Sequence, residues 1–262
     1  MKIALAQMPT IQADFAANLA AARDFAVRAK EGGADLAVFP EMFVSGFNYR
    51  KNLEFLTQCG NSPEAEFAKI ARDCKIALAG SCPHLERGAQ KPSNRLLLFS
   101  DSGEELAHYD KTHLFTLFNE GAHVEAGNEI VVADTPLGRV GFAVCYDIRF
   151  PELFVKMAVA GAELIVVSAA FPHPRLDHWR ILCRARAIEC QCFVAAVNQC
   201  AEESFGRGKV KYFGDSTLFD PWGEIVAECA LDAPDLKIAE IDLSEVGRVR
   251  EKMPALKDRR QL

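Results

Sequence analysis

Short runs of successive, rather than alternating, apolar residues constrain this chain most. Ala34–Phe39, interrupted only by Asp35, and Leu164–Val167 are of this kind. Side chains along a strand point alternately to its two faces, so such runs must be covered on both sides. Between them lie segments of helical period. Helices are predicted over Asn18–Lys30 (Asn18 as cap, Gly32-Gly33 as stop), Pro63–Cys74 (Ser62 as cap), Pro151–Ala160, Leu176–Glu189 and Ser244–Lys252. Strands are predicted over Lys2–Met8, Asp35–Pro40, Ile76–Ser81, Asn94–Phe99, Glu105–Tyr109 and Ile130–Asp134. Further strands cover Gly138–Val144, Glu163–Ser168, Cys192–Asn198, Ser216–Phe219, Glu224–Glu228 and Lys237–Ile241. Ser100-Asp101-Ser102-Gly103 and Pro221-Trp222-Gly223 read as hairpin turns. The implied class is α/β, with mixed sheets and helices outside them.

No linker, repeat or low-complexity stretch divides the 262 residues, so one domain over 1–262 is expected. Residues 244–262 form a helix and tail whose basic side chains suit solvent or a subunit contact. Net charge is −6 with both signs interspersed, which argues against a nucleic-acid surface. No run reaches the ~18 apolar residues of a membrane span. The N-terminus reads as a strand rather than a signal peptide. The nine cysteines include no Cys-x-x-Cys pair, so a reduced, cytoplasmic protein is expected. Cys190 and Cys192 are expected on opposite faces, and His173 and His178 lack an acidic partner at ligand spacing, so no metal is expected. The loops at Glu86–Ser93, Phe115–Asn128, Phe171–Asp177 and Ala201–Lys211 are long enough to carry function.

Three residues at strand ends carry chemistry. Cys145 ends the apolar run Val140-Gly141-Phe142-Ala143-Val144 and precedes a helix near Pro151. Free backbone N–H groups and a helix start at that junction would favour thiolate and later hold an oxyanion. Glu41 follows Val38-Phe39-Pro40, where burial would raise its pKa toward that of a general base. Lys111 closes the run Leu106–Asp110. Strand ends in layered α/β folds converge on one edge. A thiol, an ammonium and a carboxylate gathered there can perform acyl transfer.

Phe39-Pro40-Glu41, Tyr109-Asp110-Lys111-Thr112-His113-Leu114-Phe115 and Val144-Cys145-Tyr146-Asp147-Ile148-Arg149-Phe150-Pro151-Glu152 resemble the three signature segments of the nitrilase superfamily, the carbon–nitrogen hydrolases. The likeness extends to His178-Trp179, Arg184–Glu189 and Asp220-Pro221-Trp222-Gly223 and is strongest to the amidase branch, the ω-amidases and deaminated-glutathione amidases. It implies a four-layer α-β-β-α sandwich, a homodimer of eight layers, and no cofactor. It also implies Glu41 as general base, Lys111 as oxyanion stabiliser, Cys145 as nucleophile and the backbone N–H of Tyr146 as second oxyanion donor. A further family glutamate matches Glu120, with Glu125 as the competitor in the same loop. Arg149 and His178 are candidates for holding a substrate carboxylate, and the segment from Phe171 to Asp177 matches a pocket wall, although it lacks the Gly/Thr-rich character of relatives. The expected reaction is hydrolysis of a small linear amide with release of ammonia through a thioester, as in ω-amidases acting on 2-oxo-diacid monoamides. N-carbamoyl-amine hydrolysis, deaminated-glutathione hydrolysis and an inactive binding protein are the alternatives.

Overall fold

The parity of each strand's side chains sets the layering. The computed structural model describes residues 1–58, 62–206 and 208–260. One six-stranded sheet contains β1 (Lys2–Gln7), β2 (Leu36–Val38), β3 (Ala77–His84), β4 (Ser93–Phe99), β5 (Glu105–Asp110) and β14 (Asp235–Glu240), in the order β14-β1-β2-β3-β4-β5. Its partner contains β6 (Val132–Thr135), β7 (Gly138–Val144), β8 (Leu164–Ala169), β9 (Phe193–Asn198), β12 (Thr217–Phe219) and β13 (Ile225–Glu228), in the order β13-β12-β9-β8-β7-β6. Each sheet has three parallel strands at its centre, β1-β2-β3 and β7-β8-β9, flanked by antiparallel ones. Parallel strands need crossover connections, and these place helices on the outer faces.

Leu36 and Val38 point into the core between the sheets, whereas Ala37 joins a separate cluster beneath α1 (Phe15–Glu31) and α3 (Pro63–Cys74). Helices α4 (Pro151–Val159) and α5 (Leu176–Cys190) cover the other sheet. The four layers are therefore α-β-β-α. Phe39, Phe43 and Phe67 meet with ring centroids 4.7–5.5 Å apart beneath α3. Each such buried ring contributes roughly 1.5–3 kcal/mol. At the C-terminal ends of β2 and β8 the two sheets are bonded directly. The Ser168 hydroxyl donates to the Phe39 carbonyl at 2.8 Å, and the Glu41 amide donates to the Ala169 carbonyl at 3.2 Å.

Several local expectations change. Asp14, not Asn18, caps α1, accepting from the Ala17 amide at 3.0 Å. Asn18 is buried one turn on, where its amide bonds to Ile11 and to the Val44 carbonyl, tying the helix to the segment after Glu41. Helix α2 (Tyr49–Gln58) was not expected, although Tyr49, Leu53 and Leu56 fall at helical spacing along it. Within the presumed loop at 201–211 lie β10 (Glu202–Phe205) and β11 (Gly208–Lys211), a separate hairpin. Cys190 and Cys192 do not diverge. Cys190 ends α5, and the left-handed backbone of Gln191 (φ 50°) turns the chain into β9 with both thiols buried close together. Helix α6 (Ser244–Lys252) forms as expected, and the last two residues of the tail, Gln261 and Leu262, lie outside the described residues.

Gly127 shows how tightly the Lys111 strand end is held. Its amide donates to the Lys111 carbonyl at 2.9 Å, and a Cβ there would stand 2.1 Å from the Asp110 carbonyl oxygen. Gly127→Ala is therefore expected to lower stability by about 1–3 kcal/mol through overpacking. Denaturant titration should show an earlier midpoint with unchanged slope; an unmoved midpoint would mean the strand end can yield.

Candidate active site

Cys145 stands in the left-handed region, φ 46°, directly after the extended Val144. That conformation is strained for a residue with a Cβ and needs an external brace. Asp147 supplies it. Its Oδ2 accepts from the Val144 amide at 2.9 Å and from the Tyr109 hydroxyl at 2.9 Å, while Oδ1 accepts from the His113 amide at 3.0 Å and lies 2.7 Å from His113 Nδ1. One fully buried carboxylate thus ties the turn bearing Cys145 to the stretch 109–113 bearing Lys111.

Lys111 reaches into the interior. Its Nζ donates to Glu41 Oε1 at 2.8 Å and to Glu120 Oε1 and Oε2 at 3.0 and 2.8 Å. Glu120, in a 3-10 turn after Phe118, also accepts from the Phe115 amide at 2.7 Å. Glu41 is fixed on both oxygens, Oε1 by Asn94 Nδ2 at 2.8 Å and Oε2 by the Ala170 amide at 3.0 Å. The Cys145 thiol hydrogen-bonds to the Glu41 carboxylate. Glu41, Lys111 and Glu120 are exposed by 1 % or less, whereas Cys145 retains 9 %. A molecule entering the cavity therefore meets the sulfur before the charged groups.

The electrostatics follow from burial. Desolvation raises the Glu41 carboxyl pKa, against the opposing pull of Lys111. Burial also disfavours the Lys111 ammonium, but Glu120 and Glu41 beside it push its pKa well above the usual lysine range. For Cys145, burial and then the Glu41 charge push the thiol well above its ordinary value, and Lys111 offsets this only in part. The backbone N–H groups at this junction, which favour thiolate, are outweighed by desolvation and the Glu41 charge. The residues after Cys145 form a 3-10 turn over Cys145–Arg149, and α4 begins only at Pro151, so no long helix dipole acts on the sulfur. The thiol proton is instead directed at Glu41.

A narrow cavity opens over these groups. Phe47, Phe115, Phe118, Phe171 and Tyr146 make its wall largely aromatic, and Arg149 and Arg175 add two guanidiniums. His178 does not line it. That residue is exposed on α5 and meets the site only through Arg149, whose Nη2 lies 3.3 Å from His178 Nδ1. Glu125 is exposed, whereas Glu120 is buried against Lys111. Asn94, the Ala170 amide, Asp147 and Arg175 were not singled out from the sequence. Asp147 lay inside a noted motif and Arg175 inside a noted loop, but the roles of Asn94 and Ala170 depend on which strands become neighbours. Among the described residues no group of three or more His, Cys, Asp or Glu side chains is arranged to hold a metal ion.

Comparison with known proteins agrees with this geometry. The family model for carbon–nitrogen hydrolase matches residues 2–251. The 2-oxoglutaramate amidase of Bacillus subtilis (strain 168) is 33% identical over 238 residues, covering 91% of this chain and 90% of that protein. The deaminated glutathione amidase of Homo sapiens is 36% identical over 243 residues, 87% of this chain and 73% of that one. The nitrilase and fragile histidine triad fusion protein of Caenorhabditis elegans is 36% identical over 98% of this chain, which spans 60% of the fusion's length. A mutant of an amidase from Nesterenkonia sp. AN1 superimposes with a TM-score of 0.85 at 29% identity, covering 99% of this chain and 94% of that one; its active-site cysteine carries the covalently added acetamide moiety of fluoroacetamide. With a family match running nearly end to end, this chain belongs to the carbon–nitrogen hydrolase family.

Proposed function

We propose that this protein is an ω-amidase-like hydrolase of small linear amides, with Cys145 as nucleophile, Glu41 as general base and acid, and Lys111 as oxyanion stabiliser. The observation that carries the reading is one chain of neighbouring groups, Cys145–Glu41–Lys111–Glu120, of which Cys145 is the least buried. Glu41 takes the thiol proton as Sγ attacks the amide carbon. The tetrahedral oxyanion lies between the Lys111 ammonium and the Tyr146 amide. Collapse breaks the C–N bond, Glu41 returns its proton to the departing ammonia, and a thioester remains. Water that gives a proton to Glu41 attacks the thioester, and the carboxylic acid leaves as the thiol is restored. Glu120 holds the Lys111 ammonium in place and in its charged form.

The 2-oxoglutaramate amidase relative, together with cationic Arg149 in the cavity wall, supports an acyl chain that ends in a carboxylate. Self-association is part of the proposal. Ile181 and Ile188 on α5 are 66% and 49% exposed and lie beside Ile225 and the turn at Gly223, an apolar face suited to a second copy of the chain. A reducing, cytoplasmic setting is supported by the eight described cysteines, all free. No helix among the described residues is long and apolar enough to cross a membrane.

Ammonia release should be fastest from 2-oxoglutaramate in a panel with deaminated glutathione, N-carbamoyl amines and nitriles, and Cys145→Ala should abolish it. Full activity in that variant would refute the mechanism, and a carbamoyl compound turned over fastest would overturn the substrate class. A second expectation concerns pH. Glu41→Gln removes the negative charge and the acceptor that raise the Cys145 pKa, while Lys111 and the Ala170 amide remain. Alkylation by iodoacetamide should therefore reach its midpoint at lower pH in Glu41→Gln, even as amide hydrolysis falls. An upward shift would contradict the proton path.

Lys111→Met should lose ~10²–10³ in rate as one oxyanion donor and about 3–5 kcal/mol of stability at neutral pH, since it leaves buried carboxylates unpaired. Glu41 then has a folded-state pKa above its unfolded value. Protonation favours the folded variant, so the stability gap to wild type should narrow as pH falls and widen as it rises. Thermal unfolding across that range tests the sign.

A further inference from the structure

Two cations in the cavity wall have no use in the reaction at Cys145. Arg149 follows Cys145 on the 3-10 turn, and Arg175 immediately precedes α5 on the opposite segment. Among the described residues nine other arginines pair with carboxylates, whereas neither of these two does. The two carboxylates lining the cavity, Glu41 and Glu120, are both taken up by Lys111. Arg149 is held in place, its guanidinium 5.1 Å from the centroid of Phe171 and 3.3 Å from His178 Nδ1. The Arg175 guanidinium has no hydrogen-bond partner among the described residues; only its backbone is fixed, by the Pro172 carbonyl at 3.2 Å. Arg175 occupies the N-cap of α5 without making a side-chain capping bond, so the first-turn amides add partial positive charge on the same side.

Unmatched guanidiniums against an aromatic wall favour an anionic ligand strongly, because each is a fork of donors in a setting poor in water. We propose that Arg175 is a specificity-determining residue. With Arg149 it forms a two-guanidinium subsite that takes the carboxylate end of the acyl chain while the amide carbon lies at Cys145. The inference rests on the amidase reading for where the amide sits. It adds a second cation, from the segment that leads into α5, and restricts the substrate to amides with an anionic acyl chain. The planar fork can hold both carboxylate oxygens, or one of them and an adjacent 2-oxo group, which a neutral chain cannot offer.

Succinamate and butyramide share a four-carbon acyl chain and differ in whether it ends in a carboxylate or a methyl group. Wild type is expected to prefer succinamate. In Arg175→Ala the ratio of kcat/KM for succinamate over butyramide should fall about tenfold to a hundredfold, mainly through KM. Arg175→Lys should recover part of it, because it restores charge without the fork. An unchanged ratio in Arg175→Ala, or no preference in wild type that hydrolyses butyramide, would overturn the inference and leave the amidase reading intact. If wild type hydrolyses neither amide, that reading is in trouble, and binding still decides the subsite. Calorimetry of succinate with the Cys145→Ala protein should show weaker binding by a similar factor when Arg175→Ala is added, and equal affinity would refute it.

Discussion

The buried ammonium of Lys111 is the interaction on which the rest of this site depends. An unpaired charge at that depth would be prohibitively desolvated, and a single carboxylate would leave some of its donors unused. Glu41 and Glu120 together supply three acceptor contacts within 2.8–3.0 Å. These partners come from different parts of the chain: Glu41 from the end of β2, Lys111 from the end of β5 and Glu120 from the turn after Phe118. Their mutual need fixes where those segments end. Asn94 and the Ala170 amide then occupy the remaining acceptor sites of Glu41, so that its carboxylate has one orientation, toward the sulfur.

A second constraint is geometric. Left-handed backbone at Cys145 would relax if its neighbours were free, but Asp147 holds Val144 from within the turn and holds Tyr109 and His113 from across it. The same carboxylate therefore sets the strained turn and its distance from the Lys111 strand. The ring of His113 stacks on Phe150 at 3.7 Å between centroids, which closes the far side of the turn. Strain at Cys145 and charge at Glu41 are thus stabilised by two separate networks that share the segment 109–113.

The sequence revealed the positions that local chemistry determines. Glu41 and Cys145 each follow an apolar run, where a polar residue at the end of a buried strand stands out, whereas Lys111 closes a mixed, partly exposed strand and gains meaning only beside the other two. The four-layer stacking was implied only by the family resemblance, but mixed sheets with helices outside them were likewise readable from strand parity and helical period. What depends on three-dimensional neighbours was not. Asn94 reaches Glu41 only because β4 lies beside β3, and nothing in Ser93-Asn94-Arg95 announces that. The thiol's transfer of its proton to Glu41 could be proposed from the residue types, but the extent of the desolvation that opposes thiolate depends on the folded surroundings. Helix α2 does carry a helical period, with Tyr49, Leu53 and Leu56 four and three residues apart, and was passed over, whereas the short, polar β10–β11 hairpin shows little alternation.

Those late-read elements shape the part of the cavity that can differ between relatives. Glu203 on β10, itself buried, accepts from the Phe47 amide at 3.0 Å and from Gln199 Nε2 at 3.1 Å, which anchors the hairpin to the segment after Glu41. Phe205, two residues on, packs against Phe118 at 4.3 Å, and Phe118 in turn meets Phe47 and Phe115. The aromatic wall is therefore supported by the hairpin from behind, while Phe171, Arg175 and Arg149 form the side that carries charge. The reacting groups leave little freedom for variation, since any change there strands a buried charge. Substrate choice must then arise where substitution leaves Lys111 and Glu41 undisturbed, in the charged side of the wall and in the hairpin behind its aromatic side.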